Sequence, residues 1–558
     1  MDSRATVSDP NRKGHPTREQ CASGDPEPTA ARTSEATRTV CCDQAIFTSL
    51  PSCMGSGYRI VAASRGLRPA QRQEITSRSP SHGGLCDESP TAMAVTYYPL
   101  SDGRFGIAHT CTAGVEHTGR GGQTVYTRVV VVPSDGFALF ADNPFNVVRA
   151  MERSGVTAAD LKPTAVLPQL ELSPLTRDAA DVTERTLRPP GSAEVAAWRA
   201  QLLRVLAGLM DGEALVVALD HAGLALAEAL IMALPARLRR SISFSTGLRF
   251  SSARATKLNC VCGDLARTRE LLRGHPVVWL DLRATPQDSQ AAKGPTNRDP
   301  LTPADSPPRR QGTPTASSSR SGTQPAATPN AWLQIVDRRW SQGRCADILT
   351  LTQRNFGDAS PAVCDRVGRI CLDLDALAAA DLGGTIELLR RYIAVVGETD
   401  VEFELVENLL LTGQRRLSEQ VMTAPPHEAI ETHGESVVNL ALDSPEAAAL
   451  LMPACARLLR RTCAHDIVLA AHWGAAVAAN AIPRQISAAP EALSDILSAV
   501  LAALPRLSGE QAAALRDELS EWSFVPQIRD RLAEVQGAVD ERLRHSGDQT
   551  TESMEVAS

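Results

Sequence analysis

Arg104-Phe105-Gly106-Ile107-Ala108-His109-Thr110-Cys111 and Thr124-Val125-Tyr126-Thr127-Arg128-Val129-Val130-Val131-Val132 decide how the fold is read. The first alternates as a half-buried strand does. The second is rich in β-branched residues and stops at Pro133, which cannot extend a ladder. Ser101-Asp102-Gly103 just before the first is a turn signal, since glycine accepts positive φ and aspartate bonds its own backbone. Toward the N-terminus, Gln44–Ser49, Tyr58–Ser64 and Thr91–Tyr98 also read as strands, and Pro69–Ser77 as a short helix. Residues 43–165 are therefore expected to form a β-rich domain.

Downstream, strand and helix patterns alternate. Ala193–Leu209 is amphipathic, with Trp198, Leu202, Val205 and Leu209 at helical spacing. Ala214–Leu219, Ser241–Thr246, Leu258–Cys262 and Val277–Leu282 read as strands, and Gly223–Leu234 and Asp264–Arg273 as helices. Residues 190–283 are expected to be a small α/β domain. From Ala284 to Asn330 the chain holds nine prolines, no aromatic residue and one large aliphatic, Leu301. That composition predicts a linker over 284–330. Residues 331–545 carry helical periodicity almost throughout, as in Pro445–Leu459 and Ala464–Asn480, and predict an all-α domain. An irregular helical array is the alternative to an ordinary helical domain. Residues 1–42 and 546–558 read as disordered tails. The expected fold class is α+β and multidomain.

A length of 558 residues exceeds what one core usually organises. Only four of the 57 basic residues are lysines (Lys13, Lys162, Lys257 and Lys293), and none stands in a Gly-Lys-Ser/Thr context. A phosphate-binding P-loop is therefore excluded. Residues 331–548 carry 31 acidic against 20 basic side chains, while residues 1–330 are net positive by about 6. This uneven charge is not the clustered basic face that nucleic acid requires, so no nucleic-acid partner is expected. The longest apolar candidate, Ile467 to Pro483, contains His472, Trp473 and Asn480 and is too short for a membrane span. Thirteen scattered cysteines with no compact framework point to reduced thiols and a cytoplasmic location.

The segment Gly114-Val115-Glu116-His117-Thr118-Gly119-Arg120-Gly121-Gly122 has two readings. Gly119, Gly121 and Gly122 would let backbone N–H groups converge on an anion, with Arg120 as a fork. Alternatively, it is a tight loop carrying one exposed arginine. His82, Cys86, His109, Cys111 and His117 crowd the first domain without any metal-ligand spacing, so no metal or other cofactor is assigned. If the chain were a hydrolase, Cys86 or Cys111 with His109 or His117 would carry it. His427-Glu428-Ala429-Ile430-Glu431-Thr432-His433 lacks the second histidine of a zincin. Cys260-Val261-Cys262 lies in a strand pattern and is not read as a joint metal pair.

Two further stretches carry a resemblance. One runs Gln44-Ala45-Ile46-Phe47-Thr48-Ser49, then Gly57-Tyr58-Arg59-Ile60-Val61-Ala62-Ala63-Ser64-Arg65-Gly66-Leu67, then Tyr98-Pro99-Leu100, Asp102-Gly103-Arg104 and Thr118-Gly119-Arg120-Gly121-Gly122. This order resembles the type-two N-terminal domain of the GTPase-associated protein one family. The other, Ala233-Leu234-Pro235-Ala236-Arg237-Leu238-Arg239-Arg240-Ser241-Ile242-Ser243-Phe244-Ser245-Thr246, resembles that family's middle domain. The resemblance implies association rather than chemistry: an adaptor-like protein encoded beside GTPases in bacterial conflict or signalling operons. It carries over no catalytic residues. The expected function is a non-enzymatic scaffold for a partner GTPase or companion protein. The alternatives are a cysteine- or metal-dependent hydrolase in the first domain, and a purely structural helical array.

Overall fold

The computed structural model describes residues 39–50, 57–87, 89–116, 121–174, 192–254, 256–283, 330–481, 488–522 and 525–556. Strands β1 (Val40–Thr48), β2 (Arg59–Ser64), β3 (Met93–Pro99), β4 (Phe105–Val115) and β5 (Gln123–Val132) form the β-rich part. Two short strands follow, β6 (Val166–Leu167) and β7 (Leu170–Leu172). Strands β8 (Leu215–Ala218), β9 (Phe244–Thr246), β10 (Leu258–Val261) and β11 (Val278–Asp281) belong to the α/β part. All eleven join one sheet in the order β11-β8-β10-β9-β3-β4-β5-β1-β2-β6, with β7 alongside β1. The α/β strands run parallel to one another. The sheet changes character at β3 and β9, which pair antiparallel through Val95↔Thr246 to Tyr97↔Phe244.

Helices cover both faces, as a sheet with parallel strands requires. Helix α1 (Pro69–Arg78) packs Ile75 against Ala45, Tyr98, Ala108 and Val129 on one face. On the other lie α2 (Ser134–Leu139), α3 (Pro144–Arg153), α4 (Ser192–Met210) and α5 (Leu224–Met232), whose apolar residues meet Tyr97, Ile107, Val130, Val217 and Cys260. Pro144 with the Asn143 side chain accepting from Phe145 N starts α3. Helix α6 (Ala236–Ser241) occupies the start of a segment whose pattern reads as a strand, so β9 begins only at Phe244. The last helix on the sheet, α7 (Leu265–Leu271), is capped by Asp264.

The C-terminal region is all helical. Helices α8 (Ala331–Ser341), α9 (Cys345–Thr352), α10 (Pro361–Leu377), α11 (Leu382–Tyr392) and α12 (Asp400–Thr423) come first. A π-helical turn, His427–Thr432, holds the histidine-flanked segment. Helices α13 (Gly434–Leu442), α14 (Pro445–His465), α15 (Ile467–Ala481), α16 (Ala488–Ala503), α17 (Gly509–Ser520) and α18 (Arg529–Val556) complete the chain. Sequence-coded caps set several starts, such as Thr399 with Glu402 in a reciprocal capping box at α12. Helices α13 to α18 close around a second core containing Leu451, Leu493, Trp522 and Val535. The expected mixed α+β class, with a β-rich front and an all-helical back, is what the chain adopts.

Several boundaries differ from the sequence reading. Val40-Cys41-Cys42 is not tail but the start of β1, fixed by pairing with Leu170–Leu172. Helix α18 continues through residues 546–556, which read as tail. Of the expected linker 284–330 only Asn330 is described, and it caps α8 by accepting from Trp332 N. Residues 1–38 and 284–329 lie outside the described residues. Among the described residues no helix is long and apolar enough to cross a membrane.

The sheet and the first C-terminal helices share one apolar core, in which Leu202, Leu234, Trp332, Phe356 and Val363 are all buried. Arg239 pins this seam. It is fully buried and donates from Nε to Leu234 O (2.6 Å), from Nη1 to Ala141 O (3.3 Å) and from Nη2 to Thr352 Oγ1 (2.5 Å). The indole of Trp332 adds a hydrogen bond to Ala233 O (3.3 Å).

Candidate functional site

Strand alternation gathers several sequence candidates on one face of β4 and β5. His109 lies opposite Arg128, and Cys111 opposite Tyr126. Arg128 donates from Nη1 to Gln44 Oε1 and from Nη2 to Tyr126 Oη, both at 3.2 Å. Gln44 is in turn held by Pro168 O (2.9 Å). No carboxylate pairs with Arg128 among the described residues, and its Nε has no partner. His109 Nδ1 is likewise without one. Burial lowers the His109 pKa below its ordinary value, so the ring is neutral at pH 7.

Chemically this cluster is a buried guanidinium beside a neutral imidazole. Burial raises the Cys111 thiol above its ordinary pKa, whereas a nucleophilic cysteine needs its thiolate stabilised. The Cys111 Sγ lies 3.9 Å from Thr157 O, bonded to a carbonyl rather than to His109. The other candidate thiol, Cys86, takes a backbone hydrogen bond from Cys262 N (3.4 Å), not from a histidine. Among the described residues no three His, Cys, Asp or Glu side chains come together as a metal would need.

The glycine-rich loop is described only at its ends. Its central members His117, Thr118, Gly119 and Arg120 lie outside the described residues. Gly121 and Gly122 take φ of +76° and +79°, which favours glycine. Glu116 N donates to Gly122 O (3.1 Å) and narrows the hairpin. His82 flanks this end, with Nδ1 3.8 Å from Glu116 Oε2.

A second feature was only partly marked in the sequence. A cavity of about 840 Å³ opens where the sheet side meets the C-terminal helices. Arg237, Arg240, Arg354 and Asp142 line it, over an apolar floor that includes Pro99 and Phe356. Each guanidinium is anchored from one side. Arg237 Nη1 donates to Gly357 O (2.8 Å), Arg240 Nε to Asp142 Oδ1 (2.8 Å), and Arg354 Nη1 to Glu404 Oε2 (2.6 Å). Such anchoring holds a guanidinium fork at low entropic cost and suits it to a carboxylate or phosphate. The Leu-Pro-arginine turn at 234–240 supplied a local signal, but Arg354 is far away in sequence.

Residues 42–173 match the family described as GTPase-associated protein 1, N-terminal domain type 2. No curated protein matches the chain.

Proposed function

We propose that this protein is a non-enzymatic adaptor that binds a partner GTPase or companion protein of a bacterial conflict or signalling system. The match of residues 42–173 to a GTPase-associated domain carries this reading. The sequence supports the division of roles, since it has no P-loop lysine of its own. The seam cavity supplies the chemistry of a docking surface: three anchored guanidinium groups around an apolar floor suit an acidic protein segment. A cytoplasmic location is supported by the eleven free cysteines among the described residues. The half-buried Cys111, its thiol held above its ordinary pKa, favours this reading over a thiol hydrolase.

The test is affinity capture from the native host at low salt, with mass spectrometry of the eluate. A GTPase should co-elute with the wild type and be depleted by the double variant R237E/R354E and by raised salt. Recovery of no GTPase from wild-type captures overturns the proposal. Recovery that ignores both substitutions retains the adaptor but moves its docking surface elsewhere.

A further inference from the structure

Cys86 and Cys262 are 176 residues apart in sequence but adjacent in space. Backbone pairing brings them together. Segment 84–86 lies along 247–249, with Cys86 N donating to Gly247 O (2.9 Å) and Arg249 N to Gly84 O (2.9 Å). A bridge between Leu85 and Leu248 completes the pairing. On the other side, β10 ends at Val261, and Cys262 stands just beyond it. Gly263 turns the chain there with φ +82°, and a Cβ at that position would sit 3.2 Å from Cys86 O. The two cysteine backbones are therefore clamped close. The Cys262 N–H reaches the Cys86 sulfur at 3.4 Å.

We infer that Cys86 and Cys262 form an oxidative modification site, a dithiol that a hydroperoxide converts into a disulfide. The surroundings differ from those of the core thiols. Both residues are half-buried, whereas Cys260, Cys364 and Cys455 are buried. A hydrogen bond from the Cys86 thiol lowers the pKa of Cys262, while that bond and burial raise the Cys86 thiol. Burial instead raises Cys260 and Cys455 to about 12. Arg249 and Arg254 act electrostatically on Cys86, whereas burial and the Asp87 charge oppose the lowering of Cys262, which rests on its hydrogen bond from the Cys86 thiol.

Cys262 is the attacking thiolate. Its sulfur takes one oxygen of the hydroperoxide, releasing water or an alcohol and leaving a sulfenic acid. The Cys86 sulfur then displaces that hydroxyl as water, forming the S–S bond. Two thiols and one hydroperoxide thus give one disulfide, one water and one water or alcohol, so atoms and electrons balance. The bond would tie the loop after α1 to the end of β10. This inference does not rest on the proposed partner.

Stoichiometric hydrogen peroxide is added to the reduced full-length protein, followed by alkylation, digestion and mass spectrometry. A Cys86–Cys262 cross-linked peptide should appear before any other disulfide and vanish with dithiothreitol. In Cys86→Ser, a sulfenic-acid probe should label Cys262. In Cys262→Ser, Cys86 should stay a thiol at the same dose. If wild-type Cys86 and Cys262 both stay alkylatable, or another pair links first, the inference fails. A cross-link with the roles of the two cysteines reversed overturns the assignment of the attacking sulfur.

Discussion

Replacing Arg239 by methionine should cost the protein roughly 3 kcal/mol. The side chain is fully buried and donates to Leu234 O, Ala141 O, Met232 O and Thr352 Oγ1. Hydrogen bonds from a charged donor contribute about 1.5 kcal/mol each at the low end, so four lost bonds amount to roughly 6 kcal/mol. Against this, burial already pulls the Arg239 pKa from 12.5 to about 10. Converted at about 1.4 kcal/mol per pH unit, that is roughly 3 kcal/mol of desolvation penalty relieved when the charge is removed. Methionine refills much of the volume and adds little cavity cost. Urea unfolding followed by tryptophan fluorescence is the assay, because Trp332 bonds Ala233 O in the same seam. The control is Arg237→Met, which loses one more exposed bond to Gly357 O and should cost less than about 1 kcal/mol. Equal midpoints for the two variants would refute the seam assignment.

If a site-specific protease sequence is inserted within 284–329 and cut, the two pieces should co-elute in gel filtration, because they share a buried core across the seam; separation without denaturant would contradict this. Burial of Asp102 favours its neutral form, but hydrogen bonds from Arg104, Arg68 and Gln71 outweigh that and hold its pKa at about 2 against an ordinary 3.8. Because the folded value is the lower one, this contribution is complete above about pH 4 and fades as pH falls towards 2, so Asp102→Asn should flatten acid unfolding in that window. Gly368→Ala should destabilise by about 1–3 kcal/mol in thermal melts, because a Cβ there would sit 2.3 Å from Trp332 N where α8 and α10 touch. An unchanged melting temperature would show that the two helices separate freely.

Periodicity made the regular elements legible. The alternation at Arg104–Cys111 and the valine run ending at Pro133 gave strands, and Trp198, Leu202, Val205 and Leu209 gave a helix. Short elements were less visible. The six-residue helix after Pro133 has too few turns for a pattern, and helix Pro144–Arg153 went unread although Asn143-Pro144 marks its start and its apolar residues share one face. Long-range pairing was not visible at all. Nothing local says that Val95 meets Thr246, or that Cys86 meets Cys262. The candidate site divides in the same way. His109 and Cys111 stood out by residue type, whereas Arg128 was hidden in its valine run and needed the register to place it opposite His109.

The antiparallel joint between β3 and β9 has a consequence for how such a domain can be inherited. The stretch that matches the family ends at residue 173, yet β3 is paired on its far side by a strand from 244–246. A fragment ending at 173 would leave one side of β3 as a bare row of amides and carbonyls, which invites strands from other molecules. In this chain it is residues 244–246, beyond the matched stretch, that cover that edge and continue the ladder.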